Sequence, residues 1–188
     1  DLLTASHSEC EHRDSQSVEL VWTGPDSGEI PFRRTEQALL QILDSAKDRI
    51  TLVSYAVYRI PNVSDALIRA ARRGVKICII VETPDPAEGE QEYDTIRALG
   101  EDVVSACRIY YWPTEQRQPH PGGKRGILHV KCLVADGKWL FVSSANLTEY
   151  AFTVNMELGM LISGGVLPRQ VEAHFDRLKS EKMIVSVL

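Results

Sequence analysis

An α/β fold, a mixed central sheet covered by helices on both faces, is what this chain predicts, and three observations carry that expectation. Apolar, β-branched-rich runs alternate with stretches of helical periodicity, the pattern of βαβ units. Asp136 and Gly137 lie between two further apolar runs, a strong hairpin signal that adds an antiparallel strand pair to the sheet. A chain of 188 residues that is 44% hydrophobic and shows no internal repeat suits one core.

The elements follow in order. After a polar N-terminal segment, 1–17, a single domain is expected over 18–188. It begins with a strand at 18–22, a helix at 36–47 and a strand at 50–57. A helix at 64–73, closed by Gly74, leads to a strand at 75–81. A weaker helix at 91–99 and a strand at 103–111 precede the hairpin, whose arms are 127–135 and 138–144. A strand at 157–162 and a helix at 167–179 close the chain, with the hairpin expected at the centre of the sheet.

The hairpin concentrates the chemistry. With Asp136 and Gly137 as a two-residue type I′ turn, Ala135 faces Lys138, Lys131 faces Val142 and His129 faces Ser144. Opposed residues have Cβ atoms about 5 Å apart and residues two apart share a face, so His129, Lys131, Ser144 and Asn146 converge. Such a set suits a phosphate: an imidazole attacks or protonates and an ammonium neutralises non-bridging oxygens. A hydroxyl and an amide then donate to the phosphoryl group as its charge changes. Asp136, in the turn, reads as structural.

The pattern HxK(x)4D(x)6SSxN formed by these residues resembles the HKD signature of the phospholipase D superfamily. Asn155-Met-Glu157 downstream fits the same family, in which a Glu supports the nucleophilic histidine. One departure is Ser143, where the family usually has Gly. The resemblance implies a phospholipase D-like fold and a two-step phosphodiester displacement that needs no metal and no cofactor. One histidine attacks phosphorus to give a phosphohistidine; a second protonates the leaving oxygen and then activates water. In that reading Glu157 orients His129. The family needs two such motifs per site and this chain has one, since His7, His12, His120 and His174 lack a Lys two residues on. A homodimer with the site on its two-fold axis supplies the second.

Between Trp112 and Gly126 lies a long connection that ends at the catalytic strand and carries Arg117, His120, Lys124 and Arg125. Arg117, Lys124 and Arg125 are read as a lip that captures a polyanionic backbone, against the alternative of a solvated surface loop. Tyr55, Tyr58 and Arg59 close the second strand, where open α/β sheets bind ligands, and are candidates to stack a base or hold a phosphate; core packing is the competing role. Trp139 is read as packing, and His174 as structural or interfacial.

Cys78, Cys107 and Cys132 fall in expected strands and, with Cys10, show no CxxC spacing, so reduced thiols are expected. His7, Cys10 and His12 form the one metal-like cluster but lack the second half of a tetrahedral site, so no metal is expected. No apolar run reaches the roughly 20 residues of a membrane span. The first residues show neither a charged n-region nor an apolar h-region, and a cytoplasmic protein is expected.

The superfamily includes phospholipases, cardiolipin and phosphatidylserine synthases, endonucleases and a restriction enzyme, so motif and fold leave the substrate open. Small members with one HKD motif that dimerise are mostly nucleases, which makes a homodimeric endonuclease on nucleic acid, DNA before RNA, the leading expectation. The net charge of −5 argues against tight general nucleic-acid binding, and a local basic groove across a dimer meets that objection. The alternatives are a phospholipase D or phosphatidyl transferase acting on lipid, and a non-catalytic scaffold subunit. The arrangement also resembles the phospholipase-D-like component of bacterial anti-phage systems of the DISARM type, which implies defence-complex subunits as partners.

Overall fold

A computed structural model describes residues 16–58, 60–83 and 94–187. Among the described residues nine strands form one mixed sheet in the order β2-β1-β8-β7-β6-β3-β4-β5-β9. They are β1 (Ser17–Thr23), β2 (Arg33–Arg34), β3 (Arg49–Ser54), β4 (Lys76–Val81), β5 (Arg108–Tyr111), β6 (Cys132–Ala135), β7 (Trp139–Ser143), β8 (Glu157–Ser163) and β9 (Val185–Ser186). The helices are α1 (Thr35–Ser45), α2 (Pro61–Arg72), α3 (Asp94–Leu99), α4 (Glu101–Ala106), α5 (Glu149–Thr153) and α6 (Leu167–Ser180). β3, β4 and β5 run parallel, and the β6–β7 hairpin sits antiparallel at the middle of the sheet, as expected.

Each face of the sheet has its own core. On one, Leu52, Ile79, Leu133 and Phe141 meet Leu39, Leu43 and Leu67 of α1 and α2, residues spaced to fall on one side of each helix. On the other, Val53, Ile80, Cys132 and Leu140 pack against Phe175 of α6. Strand alternation sends successive residues to opposite cores, which is why the central strands are apolar throughout.

Three expectations are corrected. Residues 103–106 belong to α4 and only Arg108–Tyr111 is strand. Val103 and Val104 favour a strand locally, but Glu101 and Asp102 suit a first helical turn and Val103 is buried in the core shared with α2, so packing overrides propensity. The first hairpin arm is strand only at Cys132–Ala135, because its neighbour β3 stops at Ser54 and leaves 127–131 without a ladder on that side.

The third correction is the register. Asp136 and Gly137 both have positive φ, 55° and 57°, and Lys138 N–H bonds Ala135 C=O at 2.9 Å, so the turn closes as a type I′ turn does. Yet Ala135 pairs with Trp139, not Lys138. Lys138 is therefore the extra residue of a bulge, and every later pair shifts by one: Cys132 faces Val142, and Ser143 N–H reaches Lys131 C=O at 3.2 Å. Lys138 C=O is used elsewhere, by the N–H of Gly164.

Edge strands β2 and β9 and the short helix α5 have no strong signal in the sequence. β2 and β9 have two residues each, too short for a periodicity to show.

Candidate active site

The open end of the hairpin, the C-terminal ends of β3 and β4, and the α5 segment meet at one edge of the sheet. Ser54, at the end of β3, donates to Ala56 C=O at 2.7 Å and accepts from Leu147 N–H at 3.1 Å. Tyr58 N–H and Leu147 C=O add a further bond at 2.9 Å, so the segment carrying Asn146 is stitched to the one carrying Tyr55. Thr148 then caps α5 through its hydroxyl oxygen, 3.2 Å from Ala151 N–H, and the chain returns through Asn155 to Glu157.

Tyr55 is the hub. Its ring centroid lies 5.1 Å from that of His129 and 5.5 Å from Lys131 Nζ, so imidazole and ammonium share one aromatic neighbour. Lys131 Nζ also donates to His129 C=O at 3.0 Å. Partial burial lowers the Lys131 pKa, against the opposing pull of the Glu157 carboxylate, whose field reaches it.

Glu157 is held by its own neighbours. Ser144 donates its hydroxyl to Oε2 at 2.5 Å and Asn155 Nδ2 donates to Oε1 at 3.1 Å, while Ser144 Oγ accepts Leu158 N–H at 3.1 Å. Two expectations change here. The Ser144 proton is engaged by Glu157, so in this arrangement Ser144 holds the carboxylate; and Glu157 meets Ser144 and Asn155, while His129 packs on Tyr55.

Asn146 lines a small cavity of about 20 Å³ together with Lys131 and Ser54. Its Oδ1 is buried without a hydrogen-bond partner among the described residues. Such an atom costs about 1–3 kcal/mol, which a fold tolerates where the group has other work.

The departure at Ser143 has a local explanation. A Cβ on Gly159, the residue that faces it, would lie 2.8 Å from Val142 O and 3.0 Å from the Cβ of Ser143. Glycine on β8 makes room for serine on β7, and the close approach brings Glu157 to Ser144. Ser143 Oγ in turn accepts Ala145 N–H at 3.0 Å.

The long connection is a folded unit. His120 N–H bonds Lys124 C=O and Gly123 N–H bonds His120 C=O, each at 2.8 Å. Lys124 and Arg125 are exposed, and one Arg125 nitrogen bonds the carbonyls of Thr114 and Arg117 at 2.9 and 3.2 Å. Arg117 is not a substrate-binding lip residue: it is only 4% exposed, pairs with Glu82 and bonds Trp112 C=O, so its guanidinium is already occupied inside the protein. Tyr58 is exposed near the site, and Arg59 lies outside the described residues, as does the His7, Cys10, His12 cluster. Among the described residues no cluster of three or more His, Cys, Asp or Glu is placed to hold a metal.

Cys78 and Cys132 are buried and free, and Cys107, just before β5, is half-buried and free. Burial pushes their thiols up, to about 11 for Cys78 and about 12 for Cys107 and Cys132, which suits inert packing groups. Trp139 packs against the first core, as expected.

Two apolar surfaces adjoin the site. Leu20, Met160 and Val142 stand in one cross-strand row, each 44–48% exposed, with Val18 and Leu158 beside them on the same sheet face. A cavity of about 600 Å³ opens between α6 and the 127–130 segment, walled by Trp112, Leu128, Phe175 and Leu178, with His129 and His174 on its lining.

A family model described as cardiolipin synthase, PLD-like domain, matches residues 39–179. The chain belongs to the phospholipase D superfamily. Among its relatives, DISARM protein DrmC of Bacillus paralicheniformis is 25% identical over 155 residues, 82% of this chain and 60% of DrmC. The probable cardiolipin synthase YwiE of Bacillus subtilis is 26% identical over 169 residues, 88% of this chain and 30% of YwiE. This phospholipase D domain therefore spans only part of the curated relatives it matches. The crystal structure of Nuc, a phospholipase D family member from Salmonella typhimurium, superposes with a TM-score of 0.63 at 20% identity, over 91% of this chain and 97% of Nuc. At that identity the likeness is one of fold. Among the described residues no helix is long and apolar enough to cross a membrane.

Proposed function

We propose that this phospholipase D domain is a metal-independent phosphodiesterase, a homodimeric endonuclease that works through a phosphohistidine on His129. The observation that carries the reading is the meeting of the His129 ring and the Lys131 ammonium on Tyr55, with the Glu157–Ser144–Asn155 cluster within electrostatic reach. His129 attacks phosphorus, Lys131 takes up charge on the non-bridging oxygens, and Asn146 uses its amide on the same group. The leaving oxygen receives a proton from the His129 of a second copy. Water then attacks the phosphohistidine, gives its proton to that second histidine, and frees His129.

The second copy has a surface to use. The exposed row of Leu20, Met160 and Val142 is the kind of apolar patch that marks an association site, and it lies on strands that lead to Ser144 and Glu157. Lys124 and Arg125 supply positive charge for a nucleic-acid backbone, with DNA favoured over RNA. Similarity to DrmC supports a place in anti-phage defence alongside other subunits.

The test is cleavage of labelled single- and double-stranded oligonucleotides in excess EDTA by the unmodified domain and by His129→Ala. Cleavage that survives EDTA and vanishes in the variant supports the reading; no cleavage and no binding at low salt overturns it. Sedimentation equilibrium at micromolar concentration checks the dimer, and a strict monomer leaves half a site. A lipid phosphodiester is the second reading, favoured by the apolar cavity that reaches His129. Headgroup release or phosphatidyl transfer from vesicles, without oligonucleotide cleavage, selects it.

A further inference from the structure

We propose that the buried Glu82–Arg117 pair is the positioning device for His129, a role that rests on the phosphodiesterase reading for its consequence but not for its geometry. His129 lies outside the sheet ladder, which begins only at Cys132. Its backbone is an arch held at two points. The far point is Lys131, whose C=O accepts Ser143 N–H at 3.2 Å. The near point is Leu128, whose N–H donates to Glu82 Oε2.

Glu82 follows directly on the last residue of β4, a largely buried strand paired on both sides. Its other oxygen accepts Thr83 N–H at 2.9 Å and Arg117 Nη2 at 2.6 Å. Arg117 spreads its fork across the long connection: Nε and Nη2 reach Trp112 C=O at 3.0 and 2.6 Å, Nη1 reaches Gly126 C=O at 3.3 Å, and the guanidinium lies 5.4 Å from the Trp112 ring centroid. One ion pair thus ties together the end of β4, both ends of the connection, and the residue preceding the nucleophile.

Burying a carboxylate and a guanidinium is costly, and apolar replacements of matched volume are often neutral or stabilising for a fold. Stability alone does not explain the pair. A planar fork making four hydrogen bonds to three acceptors in one orientation does explain how an irregular arch holds a histidine in place.

The test replaces both charges at once, Glu82→Leu with Arg117→Met, in the whole chain. The variant is expected to stay folded with a lowered thermal midpoint, because Leu128 N–H and Thr83 N–H lose their acceptor. It is expected to lose about tenfold to hundredfold in kcat on a phosphodiester and to change KM by less than about twofold, as a misplaced reacting group does. The His129 ring-proton resonances, set by the neighbouring Tyr55 ring, should move and broaden. Unchanged kcat and unchanged His129 resonances in a folded variant overturn the proposal. Hydrogen exchange in the unmodified protein decides it even where the variant does not fold. The Leu128 amide is expected to exchange slowly although it lies outside every strand, and exchange as fast as that of exposed loop amides overturns the clamp. The resonance and exchange readouts need no turnover, so a protein that cleaves no diester would sink the phosphodiesterase reading and leave the clamp to be judged separately.

Discussion

The two ends of the β6–β7 hairpin handle polar groups in opposite ways. At the closed end Asp136 accepts the backbone N–H groups of Lys47, Asp48 and Arg49 at 2.8–2.9 Å. Glu172 of α6, only 6% exposed, accepts Gly137 N–H and an Arg49 nitrogen. Each of these carboxylates is matched to donors within the protein. At the open end Asn146 Oδ1 is buried without a partner, Lys131 has a pKa lowered by burial, and His129 stands exposed on an irregular arch. Polar groups at the closed end serve the fold, and those at the open end are arranged at some cost to it, which is where a ligand is expected to complete the bonding.

The largest effect expected from this contrast is at His129. His129→Ala should reduce diester cleavage by at least about a thousandfold with an unchanged thermal midpoint, checked by single-turnover kinetics and calorimetry. A variant that unfolds would move His129 to the structural side of the contrast.

Next comes Asn146→Ala, which removes the amide donor assigned to the phosphoryl group together with the unpartnered Oδ1. Cleavage should fall about a hundredfold while stability stays within about 0.5 kcal/mol, read from urea midpoints. A large loss of stability would mean that the side chain serves the fold.

Asp136→Ala should do the reverse. Losing charge-assisted bonds to three backbone groups should cost about 2–3 kcal/mol of stability, with residual activity in the molecules that remain folded. Burial works against the Asp136 charge, but the bonds from Arg49, Lys47 and Asp48 outweigh it and hold the pKa below the usual carboxylate value. A depressed folded pKa gives stability that is fully present above the unfolded value, near 4, and is lost as pH falls through the folded one. Urea midpoints of the unmodified protein should therefore drop below about pH 4, and those of Asp136→Asn should fall less steeply over that window.

The smallest effect belongs to the rim. Lys124→Ala should weaken oligonucleotide binding about twofold to fivefold and reduce the slope of log affinity against log salt by about one, with kcat unchanged. An unchanged slope would return the residue to a solvated surface role.

Much of this was legible before any coordinates. His129, Lys131, Asp136, Ser144, Asn146 and Glu157 stand out as a motif around one turn, although the facing of His129 and Ser144 drawn from an unbulged hairpin is off by one residue, and alternating runs announced the α/β sheet. What was not legible has particular causes. Arg117 reads from composition as a cation near the site, and only the fold shows Glu82 beside it, 35 residues away. Glu82 carried one faint signal, a carboxylate immediately after an apolar strand. Tyr55 marked the end of a strand, but its contact with His129 joins residues that no local pattern connects. Val103 and Val104 misled because their burial against α2 outweighs their local preference.

The sequence by itself determined the sheet and its central hairpin, because strand period and turn chemistry act over a few residues. Only the tertiary structure decided the register, the partners of Glu157 and the clamp behind His129. Those depend on which groups from distant segments reach the same backbone donors first, and an extra residue at Lys138 shifts every later pair of the hairpin by one.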